Sequence, residues 1–345
     1  MQNEITKTIE LLDNDGKLIE AGWARRPYWK YCRKKIKASK IRIKEWDYYE
    51  FADPEKEFAI MGTFSDLGFA ALYVICFIDY RSGKTSQISA LKPFSMHKSG
   101  LAPSPDEDNG ITFANKDMSI SFVKKGEKRQ LLLAAPTLVL PDGRKGLKAH
   151  VTLLEKSDME SVYIATSWEE NRRCFYYNAK VNPLPASGSV WLGDDKIELS
   201  SKSLGNLDWG RGRWTRENTW FWSALNGYDG DIPWGINLGY GFSDRTPASE
   251  NGIIYNGVVH KLGEVVFEYP EDYTSDKWIL KDNENRLYLE MTPVVNRSEL
   301  DNYAIIVSDQ NQVFGTFTGY FVLDDGRKID IKDAYGFAEK VYNKW

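Results

Sequence analysis

Apolar and polar residues alternate in short runs along most of the chain, a two-residue period that predicts β-strands. Within residues 147–153, the apolar side chains Leu147, Ala149, Val151 and Leu153 share one face. His150 falls on the other face, so we expect it at a surface or in a barrel lumen rather than as a metal ligand.

Turn signals separate these runs at intervals of about ten residues, which is typical of sandwiches and barrels. Asn256-Gly257 lies between two apolar runs and predicts a hairpin, as do Ser65–Gly68 and Asp324–Gly326. Only residues 334–345 have apolar positions near helical spacing. The pattern therefore predicts an all-β fold with a short C-terminal helix.

The 345 residues exceed one typical hydrophobic core, so two domains are expected. Residues 180–190 contain two prolines, a glycine and small side chains, a composition typical of a linker. We predict two β-barrel domains, residues 1–185 and residues 186–345, without a clear residue-level repeat between them.

Composition excludes several classes of protein. The three cysteines are widely spaced and the three histidines form no ligand cluster, so neither a disulfide framework nor a metal site is expected. No phosphate loop, Rossmann fingerprint or Gly-x-Ser-x-Gly elbow is present, and we expect no cofactor. The N-terminus lacks signal-peptide order, and no apolar run approaches the ~18 residues of a membrane span. A cytoplasmic, soluble protein is the expectation.

A basic stretch, Arg25–Lys44, contains ten lysines and arginines and no acid. Its last residues alternate, with Ile43 and Lys44 on opposite faces, as in a half-buried strand. A solvated strand face with a basic loop is the simpler interpretation, and an anionic membrane surface is the alternative. Interleaved aromatics could stack on bases, but the net charge of −4 makes nucleic acid an unlikely partner.

The stretch Gly205–Asp244 combines features that together indicate a site. It holds five of the twelve tryptophans and eight of the twenty-seven glycines, together with Asp208, Arg211 and Arg213. Aromatic side chains bury large areas, and glycine allows close backbone approach. We expect a tight turn that brings Asp208 and Arg211 together, and this leaves two interpretations open.

In one interpretation, aromatic walls desolvate Asp208, which becomes a general acid. In the other, Asp208 and Arg211 form a buried ion pair that holds the turn. Trp220 and Trp222 share one face of a strand and lie either in a barrel lumen or at an inter-domain seam. The candidate ligand-binding residues are Trp209, Arg211, Arg213, Trp214, Trp220, Trp222, Asn237, Glu250 and Asn251.

Several motifs resemble the family known as domain of unknown function 2804. They are GWARRPYWKYCRKKIKASKIRIKEWDYYEF, GNLDWGRGRWTRENTWFW, GINLGYGFSDRTPASENG, GVVHKLGEVVFEY, NQVFGTFTGYFVLDDG and GFAEKVYNKW, and they span essentially the whole chain. One departure is Asn311, which stands before Gln312 where the family pattern leads us to expect a histidine.

The order D-x-G-R, W-x-W, G-x-N-x-G is more distantly similar to the hydroxyneurosporene synthase and AttH-like group. That resemblance implies two lipocalin-like β-barrels and makes apolar molecules such as isoprenoids plausible ligands. It does not imply hydratase activity, since fold does not fix function.

Three classes of function follow from these features. The first is binding of an apolar or amphipathic small molecule in an aromatic-lined barrel or inter-domain cleft. The second is a cofactor-independent lyase, isomerase or hydratase that uses Asp208. The third is a carbohydrate-binding or carbohydrate-active protein, because tryptophan platforms also stack on sugar rings.

Overall fold

A computed structural model of the chain describes residues 2–302 and 307–344. Within those ranges almost all regular structure is β-strand, and the helical segments are two 3₁₀ turns, Arg33–Lys35 and Lys40–Arg42. This confirms the all-β prediction.

The strands that precede residue 214 are, in chain order, β1 (Ile9–Glu10), β2 (Gly22–Ala24), β3 (Trp29–Lys30), β4 (Ile43–Asp53), β5 (Phe58–Asp66), β6 (Ala70–Asp79), β7 (Lys84–Pro93), β8 (Asn109–Ala114), β9 (Ser119–Lys125), β10 (Lys128–Val139), β11 (Lys145–Leu154), β12 (Val162–Ser167), β13 (Phe175–Leu192), β14 (Asp195–Glu198) and β15 (Leu204–Arg213). The strands that follow are β16 (Glu217–Asp229), β17 (Ile232–Tyr240), β18 (Gly252–Tyr255), β19 (Val258–Lys261), β20 (Val265–Glu268), β21 (Trp278–Asp282), β22 (Leu287–Asn302), β23 (Val307–Val322) and β24 (Lys328–Lys344).

The described residues form two large antiparallel sheets. The first has the order β7-β6-β5-β4-β15-β13-β11-β10-β9-β8, with β12, β2 and β14 attached beside β13. The second has the order β19-β18-β17-β16-β24-β23-β22-β21-β20, and β1 pairs with β3 in a separate parallel ribbon. Each large sheet curls around its own core, and we call them the first and second half-barrels.

Strand alternation builds both cores. The predicted face of Leu147, Ala149, Val151 and Leu153 is buried in the first half-barrel, while His150 is exposed. Ile236, Leu238 and Met291 are among the buried residues of the second core. Apolar residues at every second position therefore identify the core-facing side of a strand whose other face contacts water.

The predicted hairpins at residues 65–68, 256–257 and 324–326 are confirmed. Asn256 and Gly257 have φ values of 52° and 77°, the left-handed pair of a type I′ turn between β18 and β19. Residues 324–326 connect β23 to β24.

The predicted C-terminal helix is wrong, because residues 334–344 belong to the seventeen-residue strand β24. This strand pairs with β16 on one side and β23 on the other, so both edges of its backbone are satisfied. Phe337 and Ala338 are buried on opposite faces, which mimics helical spacing in the sequence. Tertiary pairing therefore overrides the local pattern.

The predicted linker is also wrong, because residues 180–190 lie inside β13. That strand pairs with both β11 and β15, and the first sheet continues to Arg213. The chain enters the second sheet at Glu217. We therefore propose that the boundary between the two domains lies at residues 214–216 rather than at residue 185.

The two half-barrels pack against each other along faces that point away from their own cores. We call this region the inter-sheet seam. Its apolar part joins Tyr48 and Met61 of the first half-barrel to Trp222, Phe314 and Phe337 of the second in one buried cluster. The seam therefore has buried side chains from two independent sheets.

The predicted tight turn around Asp208 does not form, because residues 204–213 are strand β15. Asp208 and Arg211 are three residues apart and point to opposite faces, so the expected ion pair between them is wrong. Arg211 instead lies fully buried in the first half-barrel, where its Nη2 is 3.0 Å from Asp47 Oδ1.

Glu45, at the start of β4, anchors the N-terminal segment to the first sheet. Its buried carboxylate accepts hydrogen bonds from Tyr31 Oη at 2.6 Å and Arg33 Nε at 2.9 Å, and it contacts His97 Nδ1 at 3.0 Å. Burial opposes ionisation, but His97, Arg211 and Arg33 together lower the pKa of Glu45 to about 2. The ionised carboxylate therefore stabilises the fold.

Glu45→Gln should lower the free energy of unfolding at pH 7 by roughly 3 kcal/mol, since one pKa unit is about 1.4 kcal/mol. The folded pKa lies below the unfolded one, so this difference should be full above about pH 5 and disappear as the pH falls toward 2. Urea denaturation at several pH values measures it. Glu198→Gln is the matched control, because its pair with Lys196 is exposed and screened by water, so its loss should change stability little. Equal effects of the two substitutions would contradict this interpretation.

Candidate functional site

A cavity of about 380 Å³ lies in the inter-sheet seam, and we call it the seam cavity. Strands of both half-barrels line it. Its polar and aromatic lining residues are Lys44, Trp46, Tyr48, Thr63, Ser65, Phe69, Tyr176, Lys180, Asp208, Trp214, Trp220, Trp222, Phe242, Glu250, Arg297, Glu299, Ser308, Gln310, Gln312, Glu339 and Asn343.

Strand β4 supplies one wall through its even-numbered residues. Trp46 and Tyr48 face the seam, whereas Ile43 and Tyr49 face the first core. Lys44 also lines the cavity and is buried, not solvated as the alternation predicted. Its Nζ donates to the carbonyls of Ile41 and Leu67 and lies 4.6 Å from the centre of the Phe69 ring.

Aromatic rings form most of the wall. Trp214 stacks on Phe242 with centroids 5.0 Å apart, and it meets Trp46 and Trp220 edge-on at 5.9 and 5.5 Å. Tyr48 meets Trp222 edge-on at 5.5 Å. Rings in such contacts hold one another rigidly, so the wall is pre-formed.

A group of charged side chains lies among these rings. Lys180 Nζ is 3.2 Å from Asp208 Oδ1, 3.8 Å from Glu250 Oε1 and 4.1 Å from the Trp222 ring. Asn178 donates to Asp208 Oδ1 at 2.6 Å. Lys180 and Asp208 are register partners on β13 and β15, so sheet pairing alone brings them together. Asp208 Oδ1 therefore has one hydrogen-bond donor, Asn178, and one ion-pair partner, Lys180.

Two further carboxyls lie at this cavity in environments that favour the protonated form. Glu250 accepts a hydrogen bond from Tyr176 Oη at 2.7 Å, and burial raises its pKa. Glu339 accepts one from Trp220 Nε1 at 2.9 Å, and burial raises its pKa to about 7. The cavity thus places proton donors and acceptors beside an apolar wall, an arrangement that enzymes use for proton transfer.

Of the predicted residues, Asp208, Trp214, Trp220, Trp222 and Glu250 meet at the seam cavity. The question of lumen or seam for Trp220 and Trp222 is therefore settled in favour of the seam.

Asn237 supports the site from behind, because it accepts a hydrogen bond from Trp222 Nε1 at 2.7 Å. Asn251 bonds the backbone of Gly239 and Gly263 and does not line the cavity.

The remaining predicted residues belong elsewhere. Trp209 lies in the first core, where its ring is 4.1 Å from the guanidinium of Arg211. Arg213 donates to the carbonyl of Lys37 at 3.1 Å. Strand alternation explains this outcome, since odd-numbered residues of β15 face away from the seam.

Sequence reasoning missed Trp46, Tyr176, Lys180, Arg297 and Glu339. One indication was available in residues 44–50, KEWDYYE. Charged and aromatic side chains occur at both the even and the odd positions, so neither face of the strand is clearly the apolar one. Such a strand has no wet face. The sequence around Lys180 gave no indication of a site, because the prolines and small residues that follow it resemble a linker.

The basic stretch Arg25–Lys44 is largely occupied by internal contacts. Arg25 pairs with Glu4 and Glu160, and Lys35 pairs with Glu10. The exposed cations of the stretch are Lys30, Lys34, Lys37 and Lys40. Asn311, the departure from the family pattern, bonds Asn296 and Asp309 and is not among the residues of the seam cavity.

Comparison with sequence families matches residues 2–345 to "Domain of unknown function (DUF2804)". The chain belongs to this family. A search of curated proteins by sequence finds no match.

Solved structures with a similar fold include an AttH-like protein from Nitrosomonas europaea, with a TM-score of 0.52, 13% identity, and coverage of 87% of this chain and 92% of that one. CghA in complex with Sch210972 has a TM-score of 0.50, 8% identity and 88% coverage of both chains. Kievitone hydratase from Nectria haematococca has a TM-score of 0.47, 10% identity and 88% coverage of both chains. The likenesses to the AttH-like protein and to CghA support the two-barrel fold described above.

Two features, a membrane-spanning helix and a cluster of metal-binding side chains, are absent from the described ranges. No helix there has the length and apolar character to cross a membrane. In the same ranges, no cluster of three or more His, Cys, Asp or Glu side chains is arranged to hold a metal ion.

Gly210 allows Trp46 to lie flat on β15. A Cβ atom at residue 210 would lie 2.0 Å from Trp46 Cζ2, so Gly210→Ala must displace the indole from the cavity wall. We expect a loss of about 1–3 kcal/mol in unfolding free energy and a changed near-ultraviolet circular dichroism spectrum.

Gly110→Ala is the control for this prediction, because the nearest side-chain atom there would be 3.8 Å away. An unchanged aromatic spectrum in Gly210→Ala would show that Trp46 does not depend on this glycine.

Proposed function

We propose that the protein binds an apolar or amphipathic small molecule in the seam cavity. The observation that carries this proposal is a pre-formed volume of about 380 Å³ walled by Trp46, Trp214, Trp220 and Trp222. Ligand pockets of a few hundred Å³ with aromatic walls and a few placed polar groups suit such molecules.

The charge distribution supports an amphipathic ligand in particular. Lys180, Asp208, Glu250 and Glu339 are grouped around the Trp222 ring, and apolar residues of β6 such as Leu72 line another part of the cavity. A ligand with one polar end could place that end by the charged group and its apolar body against the remaining wall. Buried charges without such a partner would cost solvation energy.

Proton transfer is the second candidate function, and the raised pKa of Glu339 favours it. In this hypothesis, Glu339 delivers a proton to a double bond of the bound molecule. Asp208 then removes a proton from a neighbouring carbon, and exchange with water returns Asp208 and Glu339 to their starting protonation states, so an isomerisation balances without a cofactor. We assign the donor role to Glu339 rather than to Asp208, because Asp208 is paired with Lys180 and already accepts a hydrogen bond from Asn178.

Binding of an anionic membrane surface by Arg25–Lys44 stays a prediction with less support. Its exposed cations are four lysines, and a juxtaposed cation contributes only about 1 kcal/mol at such a surface.

Leu72→Trp should abolish binding of decanol or decanoic acid, as measured by isothermal titration calorimetry. Leu72 lines the seam cavity, and a larger side chain there fills the volume without removing core contacts. Leu132→Trp is the matched control, since Leu132 is 41% exposed on the outer face of β10.

Two outcomes would contradict the proposal: both variants bind as the wild type does, or the wild type binds maltohexaose and neither apolar probe. The second outcome would favour a carbohydrate ligand.

Glu339→Gln should stabilise the protein increasingly as the pH rises from about 4.5 to 7. At pH 4 the carboxyl is protonated in both states. Above that, the unfolded chain ionises first, so the wild type loses up to roughly 3 kcal/mol of stability that a glutamine retains. Urea denaturation between pH 4 and 8 measures the difference, with the exposed Glu271→Gln as control. A pH-independent difference would exclude a protonated Glu339 and with it the proton-transfer hypothesis.

A further inference from the structure

A second cavity, of about 310 Å³, opens elsewhere along the seam, and we call it the distal cavity. It lies where β4 and β15 continue beyond Tyr48 and Asp208. Its lining includes Glu50, Ala52, Pro54, Lys202, Leu204, Asn206, Ala224, Asn226, Tyr228, Trp234, Asp330, Ile331, Lys332, Asp333 and Tyr335. None of these residues lines the seam cavity.

Two polar side chains in this lining are mostly buried and have few contacts with other polar side chains. Glu50 is 4% exposed and Asn206 is 5% exposed. Within residues 2–302 and 307–344, the Glu50 carboxyl has one side-chain hydrogen bond, from Tyr48 Oη at 3.3 Å, and no ion pair. In the same ranges the Asn206 amide has no hydrogen bond. The unbonded polar atoms of both side chains are accessible from the cavity, so a molecule bound there can reach them.

Sheet pairing places these two side chains together. Glu50 of β4 and Asn206 of β15 are register partners, which puts their Cβ atoms about 5 Å apart on the same face. Both line the cavity. They therefore form a small polar surface with two acceptors, a carboxyl and an amide oxygen, inside a pocket with apolar and aromatic walls.

Glu50 has no compensating cation. Lys202, the nearest basic candidate in the lining, is occupied by the carbonyl of Gly230, by Asp231 and by the ring of Tyr228. Lys332 is exposed at the mouth, together with Asp330 and Asp333. Within residues 2–302 and 307–344, no cation therefore forms an ion pair with the Glu50 carboxyl.

We propose that the distal cavity is a second binding site, which takes a small primary amine with an apolar body. The ammonium group would lie between Glu50 and Asn206 and donate to both. The apolar body would contact Ala224 and Ile331 and the rings of Tyr228 and Tyr335. This site is independent of the seam cavity, and its failure would leave the proposed function untouched.

The protonation state of Glu50 determines how amine binding should depend on pH. Burial raises its pKa to about 8, the Tyr48 hydroxyl lowers it, and Glu339 of β24 raises it. The other titratable groups around it are Cys76 and Tyr80 of the first sheet, and Tyr228, Tyr335, Lys202, Asp330, Lys332 and Asp333 of the cavity lining. At pH 7 the Glu50 carboxyl is therefore mostly protonated, and it must lose this proton when an ammonium ligand binds.

Calorimetric titration with 2-phenylethylamine tests this. We expect the affinity to rise more than tenfold between pH 6 and pH 8, because only the ionised minority of Glu50 is competent at the lower pH. Titrations in two buffers of different ionisation enthalpy should show release of about one proton at pH 7. The neutral 2-phenylethanol should bind at least tenfold more weakly at pH 8.

Glu50→Gln should weaken amine binding at least tenfold and abolish both the pH dependence and the proton release. Glu55→Gln is the matched control, because Glu55 is exposed in the turn after Pro54 at the same cavity. A thermal melt reports whether each variant folds. If Glu50→Gln does not fold, Asn206→Ala serves instead and should weaken binding while the pH dependence remains.

Three outcomes would overturn the proposal. The amine and the alcohol bind with the same affinity, the wild type does not bind the amine at all at pH 8, or binding is unchanged in both Glu50→Gln and Asn206→Ala.

Discussion

The structure depends on one pairing, that of β4 with β15. These strands are distant in sequence, and their register sets Glu50 beside Asn206 and Tyr48 beside Asp208. Because side chains alternate with a period of two, this register sends Phe51, Trp209 and Arg211 into the first core and the even-numbered residues into the seam. A slip of one residue would exchange the two sets. It would bury Asp208 in the first core and expose the seam to Arg211, so the register is strongly specified.

Both faces of these two strands are covered by other parts of the protein, whereas antiparallel sheets commonly have one face in contact with water. That fact decides how far sequence reasoning could go. Where one face is wet, as in β10 and β11, alternation located the core correctly, and short turn motifs such as Asn256-Gly257 located the hairpins. Where both faces are buried, polar and apolar residues do not alternate along the strand, so the sequence does not show which residues face the core. Residues 204–213 therefore resembled a glycine-rich turn, and Asp208 was paired with the wrong cation.

The site was only partly accessible from the sequence for the same reason. Its tryptophans were conspicuous, and five of the predicted side chains do meet at the seam cavity. Lys180 comes from β13 and Glu339 from β24, and both reach the site through sheet pairing with partners far along the chain. No local pattern reports such pairing. The C-terminal strand shows the limit most clearly, since its helical spacing arises from two buried faces on one strand.

The seam also explains why so many titratable groups are buried in an otherwise apolar interface. Each of Glu50, Glu250 and Glu339 is held away from water, and burial raises the pKa of all three. Keeping them there costs folding energy, which the aromatic contacts of Trp46, Trp214 and Trp222 offset. Tyr48 lies between the two cavities, since its hydroxyl contacts both Glu50 and Gln312 at 3.3 Å. In the proposed distal site, an ammonium ligand paired with Glu50 would recover part of that cost, because it would supply the cation that this carboxyl lacks among the described residues.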